Sequence, residues 1–403
     1  MRVCGVYFVF VILLSACTNG VSHLDIALQQ AKHNKAELEK VLKHFKHDSL
    51  KYRAACFLIE NMPGKYSILP YDSLDRYKNF LKIIPQNDPI SWDVRYSKIW
   101  HGFDSISKRQ LAGFSKIEDI KVITGDYLIK NIEYAFKIWE NGKIKDYCSF
   151  DEFCHYILPY RIDHEPLSNW REEGFQKFGH LLDSLMSPRE LALRIIKLGG
   201  MRYNIGMTKY PYKQSYAEML QTRWGTCDDM AAFLALSLRA IGIPASIDYV
   251  PAWANRSSSH CWNVVKDATG DFIEVGYGPE GKNEVVYKIS KIYRKKYDIP
   301  LCDVTSEYAM PLSDLTFRVP SQKDKQLISL CTFNNHDWVP VALSKVMNGS
   351  VLFESVGRGI LWGDNQIRTY LNEGKGIVFL AFISQKGRLN NKPIGFPVIL
   401  LED

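Results

Sequence analysis

Arg223-Trp224-Gly225-Thr226-Cys227-Asp228-Asp229-Met230-Ala231 opens the part of the chain whose reading decides the fold. Thr226 and Asp229 stand at capping-box spacing and predict a helix start between them. Met230, Phe233, Leu234, Leu238 and Ile241 then recur as one apolar stripe, and Gly242 with Pro244 beyond it marks the stop. Ala245 to Val250 reads as a strand, a loop containing Ser257-Ser258-Ser259 follows, and His260 to Val265 is a second strand. The turn Lys266 to Asp271 leads into a third, Phe272 to Gly276. Upstream, Ser187-Pro188-Arg189-Glu190 supplies an N-cap, a proline at the first helical position and a capping partner, and Gly199-Gly200 ends that helix. Ser215 and Glu218 start another short one. Helices followed by an antiparallel sheet predict an α+β block.

Within this block Cys227 falls in the first turn of its helix, where unpaired N–H groups and the positive dipole end favour a thiolate. Nucleophilic acyl transfer needs such a thiolate and a base within hydrogen-bond reach. His260, at the start of a strand, can supply that base if helix and sheet meet at one crevice. Taken singly, Cys227 also fits a small buried hydrophobe and His260 a satisfied core histidine. The two together, on the right elements, favour chemistry.

These three segments resemble the transglutaminase-like superfamily. The R-x-G-x-C-x-x-x-A helix is Arg223 to Ala231, the exit is Leu238-Arg239-Ala240-Ile241-Gly242-Ile243-Pro244-Ala245, and the H-x-W strand is His260-Cys261-Trp262. The resemblance covers about residues 190–290. It implies a papain-like fold and thiol-dependent transamidation, amide or peptide hydrolysis, or deamidation, with Cys227 as nucleophile and His260 as base. The family's third member, an acid on the next strand that orients the imidazole, falls on Gly276 here. Glu274, two residues earlier and on the same sheet face, is the first substitute; Asp271 and Asp267 fit turn residues better, and an impaired site with no acid is the alternative. For the oxyanion, the Cys227 N–H is one donor, and papain-like spacing suggests Gln221 as another, against an exposed helix glutamine. Trp262 and Trp224 can wall the site from water or simply pack the core.

The flanks are different in character. Val6 through Leu14 is an unbroken apolar run behind Arg2, too short for the ~20 residues of a membrane span and suited to a secretory signal. It ends Leu14-Ser15-Ala16-Cys17, resembling a bacterial lipobox, with Cys17 as the lipid-modified first residue. The expected division is a signal peptide over 1–16, a helical N-terminal region over 17–186, the core over 187–300 and a β-sandwich-like domain over 301–403. In the helical region Asn34 and Glu37 predict a cap, Asp48 opens a second helix, and Phe150 to Arg161 packs aromatic and ionisable groups together. That segment either lines a cleft or is a helix end buried against the next domain. Beyond Cys302, apolar runs at Leu327–Phe333, Trp338–Leu343, Val351–Phe353, Gly359–Trp362 and Ile377–Ile383 are punctuated by Gly and Asn.

Composition bounds the remaining classes. With 403 residues, 46% hydrophobic and 24% charged, the chain is long enough for two or three cores and is neither disordered nor a disulfide scaffold. The formal charge of +7 is mild, and its densest basic run, Arg294-Lys295-Lys296, reads as solvated surface, so no nucleic-acid partner is expected. No Cys/His cluster has zinc spacing and no acidic calcium loop is present, so neither metal nor cofactor is expected. The sequence therefore predicts a thiol hydrolase or acyl transferase, protease- or amidase-like, acting on a peptide, protein or cell-wall amide. On the lipobox reading its expected place is a Gram-negative membrane, the outer one, facing the periplasm or the surface. The alternative is a catalytically impaired module that binds a peptide or glycan.

Overall fold

The computed structural model describes residues 22–70, 114–141, 143–203, 213–254, 258–278, 287–299, 301–308, 310–319, 326–334, 337–358, 376–385 and 388–401. The expected signal peptide over 1–16 and the expected anchor Cys17, like the strand expected at Gly359–Trp362, lie outside them.

The N-terminal part is helical. Helices α1 (His23–Ala31), α2 (Lys35–Phe45) and α3 (Ser49–Glu60) precede a hairpin of β1 (Tyr66–Pro70) and β2 (Phe114–Glu118). Helices α4 (Gly125–Asn141), α5 (Phe150–Tyr156) and α6 (Trp170–Phe178) complete it. Asp48 caps α3 as expected, its side chain accepting from the Lys51 N–H. Asn34 does not cap α2. It is buried, and its amide donates to the carbonyls of Ile120 and Ile123 at 3.1 and 2.9 Å, while Glu37 accepts from the Gly125 N–H. The Phe150–Arg161 segment is a buried helix end. Arg171, itself buried, donates to the carbonyls of Ile157, Leu158 and Arg239, and Tyr156 packs edge-on against Phe272 at 4.7 Å.

Next come α7 (Pro188–Gly199), β3 (Arg202–Tyr203), α8 (Tyr216–Thr222), β4 (Trp224–Gly225) and α9 (Cys227–Ala240). Ser187, Ser215 and Thr226 each close a capping box, and Gly200 ends α7 with φ of 64°. A five-stranded antiparallel sheet follows: β5 (Ala245–Val250), β6 (His260–Lys266), β7 (Phe272–Val275), β8 (Tyr293–Arg294) and β9 (Cys302–Asp303), in the order β7-β6-β5-β8-β9. Helix α9 is buried along nearly its whole length and lies on one face of this sheet, where Asn263 donates to the Ala231 carbonyl at 2.8 Å.

The C-terminal part is made of two antiparallel sheets. One pairs β10 (Leu312–Arg318) with β13 (Ser350–Gly357). The other joins β11 (Leu327–Asn334), β12 (Asp337–Lys345), β14 (Gly376–Gln385) and β15 (Arg388–Leu401) in the order β12-β11-β14-β15. Leu315, Phe317, Ile328, Leu330, Phe353 and Phe379 from the two sheets share one core, the sandwich-like arrangement expected. No helix among the described residues is long and apolar enough to cross a membrane. The chain is thus α+β, with a helical N-terminal region, a helix-and-antiparallel-sheet core and a β-rich end.

Candidate active site

Thr226 sets the site. Its hydroxyl accepts from the Asp229 N–H while the Asp229 carboxylate accepts from the Thr226 N–H and hydroxyl, both at 2.9 Å. This box starts α9 at Cys227 and leaves the first N–H groups of the helix clustered around the thiol. Across from it, β6 begins at His260, paired with Val250 of β5. Helix start and strand start meet, which brings the side chains of Cys261 and His260 beside the Cys227 sulfur. Cys261 and then the His260 ring beside it outweigh burial and the neighbouring Asp228 and hold the Cys227 thiol below its ordinary range. Cys261 is pushed the other way, above the ordinary range, by Cys227 and by burial.

Cys261 is a residue of the site to which the sequence reading gave no role. Strand alternation is the signal that could have found it. In β6 the residues Cys261 and Asn263 turn toward α9 and Trp262 turns away from it, while His260, at the open start of the strand, stands beside both Cys227 and Trp262. The Cys261 S–H also lies 3.5 Å from the Asp228 carboxylate. Burial opposes ionisation of Asp228, but Lys213 at 3.5 Å and Lys295 keep its carboxyl below the usual range. Lys295 in turn pairs with Asp163 of the helical region at 3.0 Å. An alternating frame of two lysines and two aspartates therefore borders the nucleophile. None of the four was expected there.

On the other sheet face, Trp253 lies flat against His260, ring centroids 6.0 Å apart and 25° between planes, and Trp262 lies 6.0 Å away at 34°. Trp262 is buried and donates from its indole N–H to the Tyr308 hydroxyl at 2.9 Å. Trp224 is buried in β4, with the Arg202 guanidinium over its ring at 6.0 Å, and its carbonyl accepts from Gln214. Gln221 is exposed at the end of α8. Glu274 shares the face of Trp262 but is paired with Val264. Four residues of strand, about 13 Å at ~3.3 Å each, separate that register position from His260. This span exceeds the direct reach of a glutamate side chain. Gly276 follows the last paired residue of β7 and carries no acid.

A sequence model of the transglutaminase-like superfamily matches residues 180–276. These residues form a transglutaminase-like core. The match begins just before α7 and ends at Gly276, so it takes in the helix bearing Cys227 and the strands bearing His260 and Glu274. Outside the transglutaminase-like core remain the helical region with Asp163 and the C-terminal part with Tyr308 and Asn334. No curated protein matches the chain. A crystal structure from Cytophaga hutchinsonii, provisionally described as a cysteine protease, is 14% identical to it, covering 48% of this chain and 51% of its own, with a TM-score of 0.22. This chain thus spans about half the length of that protein.

Proposed function

We propose that this chain is a thiol-dependent amide or peptide hydrolase or acyl transferase. The observation that carries the reading is the meeting of Cys227, in the first turn of α9, with His260, at the start of β6, where the thiol is held below its ordinary range. Cys227 Sγ attacks the amide carbonyl and forms an S–C bond. The C–N bond then breaks, and His260 delivers its proton to the departing amine. Water activated by His260 releases the acyl group as a carboxylate, or an amine takes it as a new amide. The Cys227 N–H and the Gln221 side chain are the proposed donors to the oxyanion, and Trp224 and Trp262 limit water around it. Glu274 takes a lesser part in this scheme than the sequence suggested, because of its register.

The substrate we favour is a peptide, a protein or a cell-wall amide. A tether at Cys17, on the lipobox reading, would hold the chain at a bacterial membrane facing the periplasm or surface; incorporation of labelled fatty acid that disappears in Cys17→Ser tests it. For the chemistry, the full chain is treated with iodoacetamide near pH 6 and alkylation of Cys227 is followed by peptide mass. Rapid labelling, lost in His260→Ala, is expected. Equally slow labelling of both chains would refute the hydrolase and favour the peptide- or glycan-binding alternative, for which the acid-free Gly276 speaks.

A further inference from the structure

Among the described residues, the His260 imidazole is flanked by two tryptophans, and no ion pair to a carboxylate is seen there. In this chain the two tryptophans against His260 are each fastened by groups outside the transglutaminase-like core. Trp262 donates to the Tyr308 hydroxyl at 2.9 Å, and Tyr308 donates to Asp248 Oδ2 at 2.7 Å. Asp248 is fully buried in β5, directly across from Trp262, and is gripped by Arg294 through two bonds of 2.9 Å. Glu307 holds the remaining arm of Arg294 at 2.9 Å. Trp253 is fastened separately. Its carbonyl accepts from the Asn334 amide of β11 at 2.6 Å, and the same amide reaches the Ser258 carbonyl at 3.1 Å, closing the loop that leads into His260.

We propose that Tyr308 is a positioning residue for His260: through Trp262 it fixes one wall of an aromatic clamp that orients the imidazole toward Cys227 in place of a third-member acid. The inference rests on the thiol-enzyme reading above. Its physical basis is the cost of an orphaned donor. The Trp262 N–H is buried, so without the Tyr308 oxygen it must find another acceptor, and the ring turns away from the plane that contacts His260. A phenyl ring at 308 keeps the packing and removes that acceptor together with the donor to Asp248, whose carboxylate keeps its two bonds from Arg294; Trp262→Phe removes the indole N–H alone. The titratable and charged groups around the pair are Cys261 and Asp228 on the helix side, and Asp248, Arg294, Glu274 and Tyr308 on the sheet face.

The test is the pH profile of Cys227 alkylation by iodoacetamide in the full chain, read at the Cys227 peptide. Tyr308→Phe is expected to move the low-pH inflection upward by about one unit, which slows labelling on the acid side about tenfold. Trp262→Phe, which keeps a ring but not the N–H, is expected to do the same. The double variant is expected to shift no further than either single one, because the bond between indole N–H and Tyr308 hydroxyl is lost in both. A Tyr308→Phe profile superimposed on the wild type, with low-pH labelling still lost in His260→Ala, would overturn the clamp and leave the thiol enzyme standing. Should His260→Ala itself match the wild type, the enzyme reading fails and the clamp with it. Equal shifts that simply add in the double variant would assign the effect to general loosening and also refute the proposal.

Discussion

Two neighbouring thiols with opposite tendencies give the site its polarity. The Cys227 thiol is held below its ordinary range chiefly by Cys261, which is itself pushed above that range by Cys227 and by burial. Cys261→Ala should therefore raise the Cys227 alkylation inflection by one unit or more, with His260 unchanged. The same asymmetry links to stability. The Cys227 thiol is held below its ordinary value in the folded chain, so its contribution is present in full above the unfolded thiol range, near ~8.5, and is lost as pH falls toward about 5. Relative to Cys227→Ala, the wild type should gain stability in urea titrations as pH rises from 5 to 8. Asn34 shows the other side of residue-level reading. Its spacing to Glu37 marked a cap, yet its amide serves two carbonyls far along the chain. Local spacing carries no information on such distant acceptors. Asn34→Ala should leave both carbonyls wanting and cost about 2 kcal/mol in the same titrations.

Elements fared according to how local their signals are. The capping boxes at Ser187, Ser215 and Thr226 formed as written in the sequence, because every partner lies within one turn. Strands β5, β6 and β7 were legible from alternation and turn residues. Strands β10 and β15 were not. Pro393, Gly395 and Pro397 argue against a strand, but β15 pairs only with β14 and lies at the sheet edge, where prolines are tolerated. Two substitutions probe α9 directly. Thr226→Ala removes the cap and should cost about 1 kcal/mol, with slower Cys227 alkylation as the first turn frays. Gly242→Ala should cost more, since φ is 83° and an added Cβ would stand 2.2 Å from Ile138 Cγ2. A drop in the thermal midpoint smaller than that of Thr226→Ala would contradict this ranking.

At the scale of the molecule, the run expected to be solvated is where the parts are joined. Arg294 is buried on Asp248, Lys295 pairs with Asp163, and Lys296 stands over the Tyr156 ring at 5.8 Å. Beside them, Tyr293 donates to the Val341 carbonyl of β12 and Tyr297 to the Leu58 carbonyl of α3. A charge run read alone looks like surface; its partners here lie far away in sequence. Arg294→Met should therefore destabilise strongly, by roughly 3–5 kcal/mol, because it strands the buried Asp248 carboxylate. Far-UV circular dichroism and tryptophan fluorescence should lose their signals together on heating, since one segment fastens all three parts. Transitions well separated in temperature would show them to be independent.

The anchoring of Trp262 by Tyr308, and of Trp253 by Asn334, bears on portability. A self-sufficient catalytic module can be cut out, fused or shuffled between proteins with its competence intact. Here the partners of both tryptophans lie beyond residue 276, so excision at the family boundary would carry away Cys227 and His260 and leave Tyr308 and Asn334 behind. On the clamp proposal, exchange of the C-terminal part would require a new seat for the imidazole.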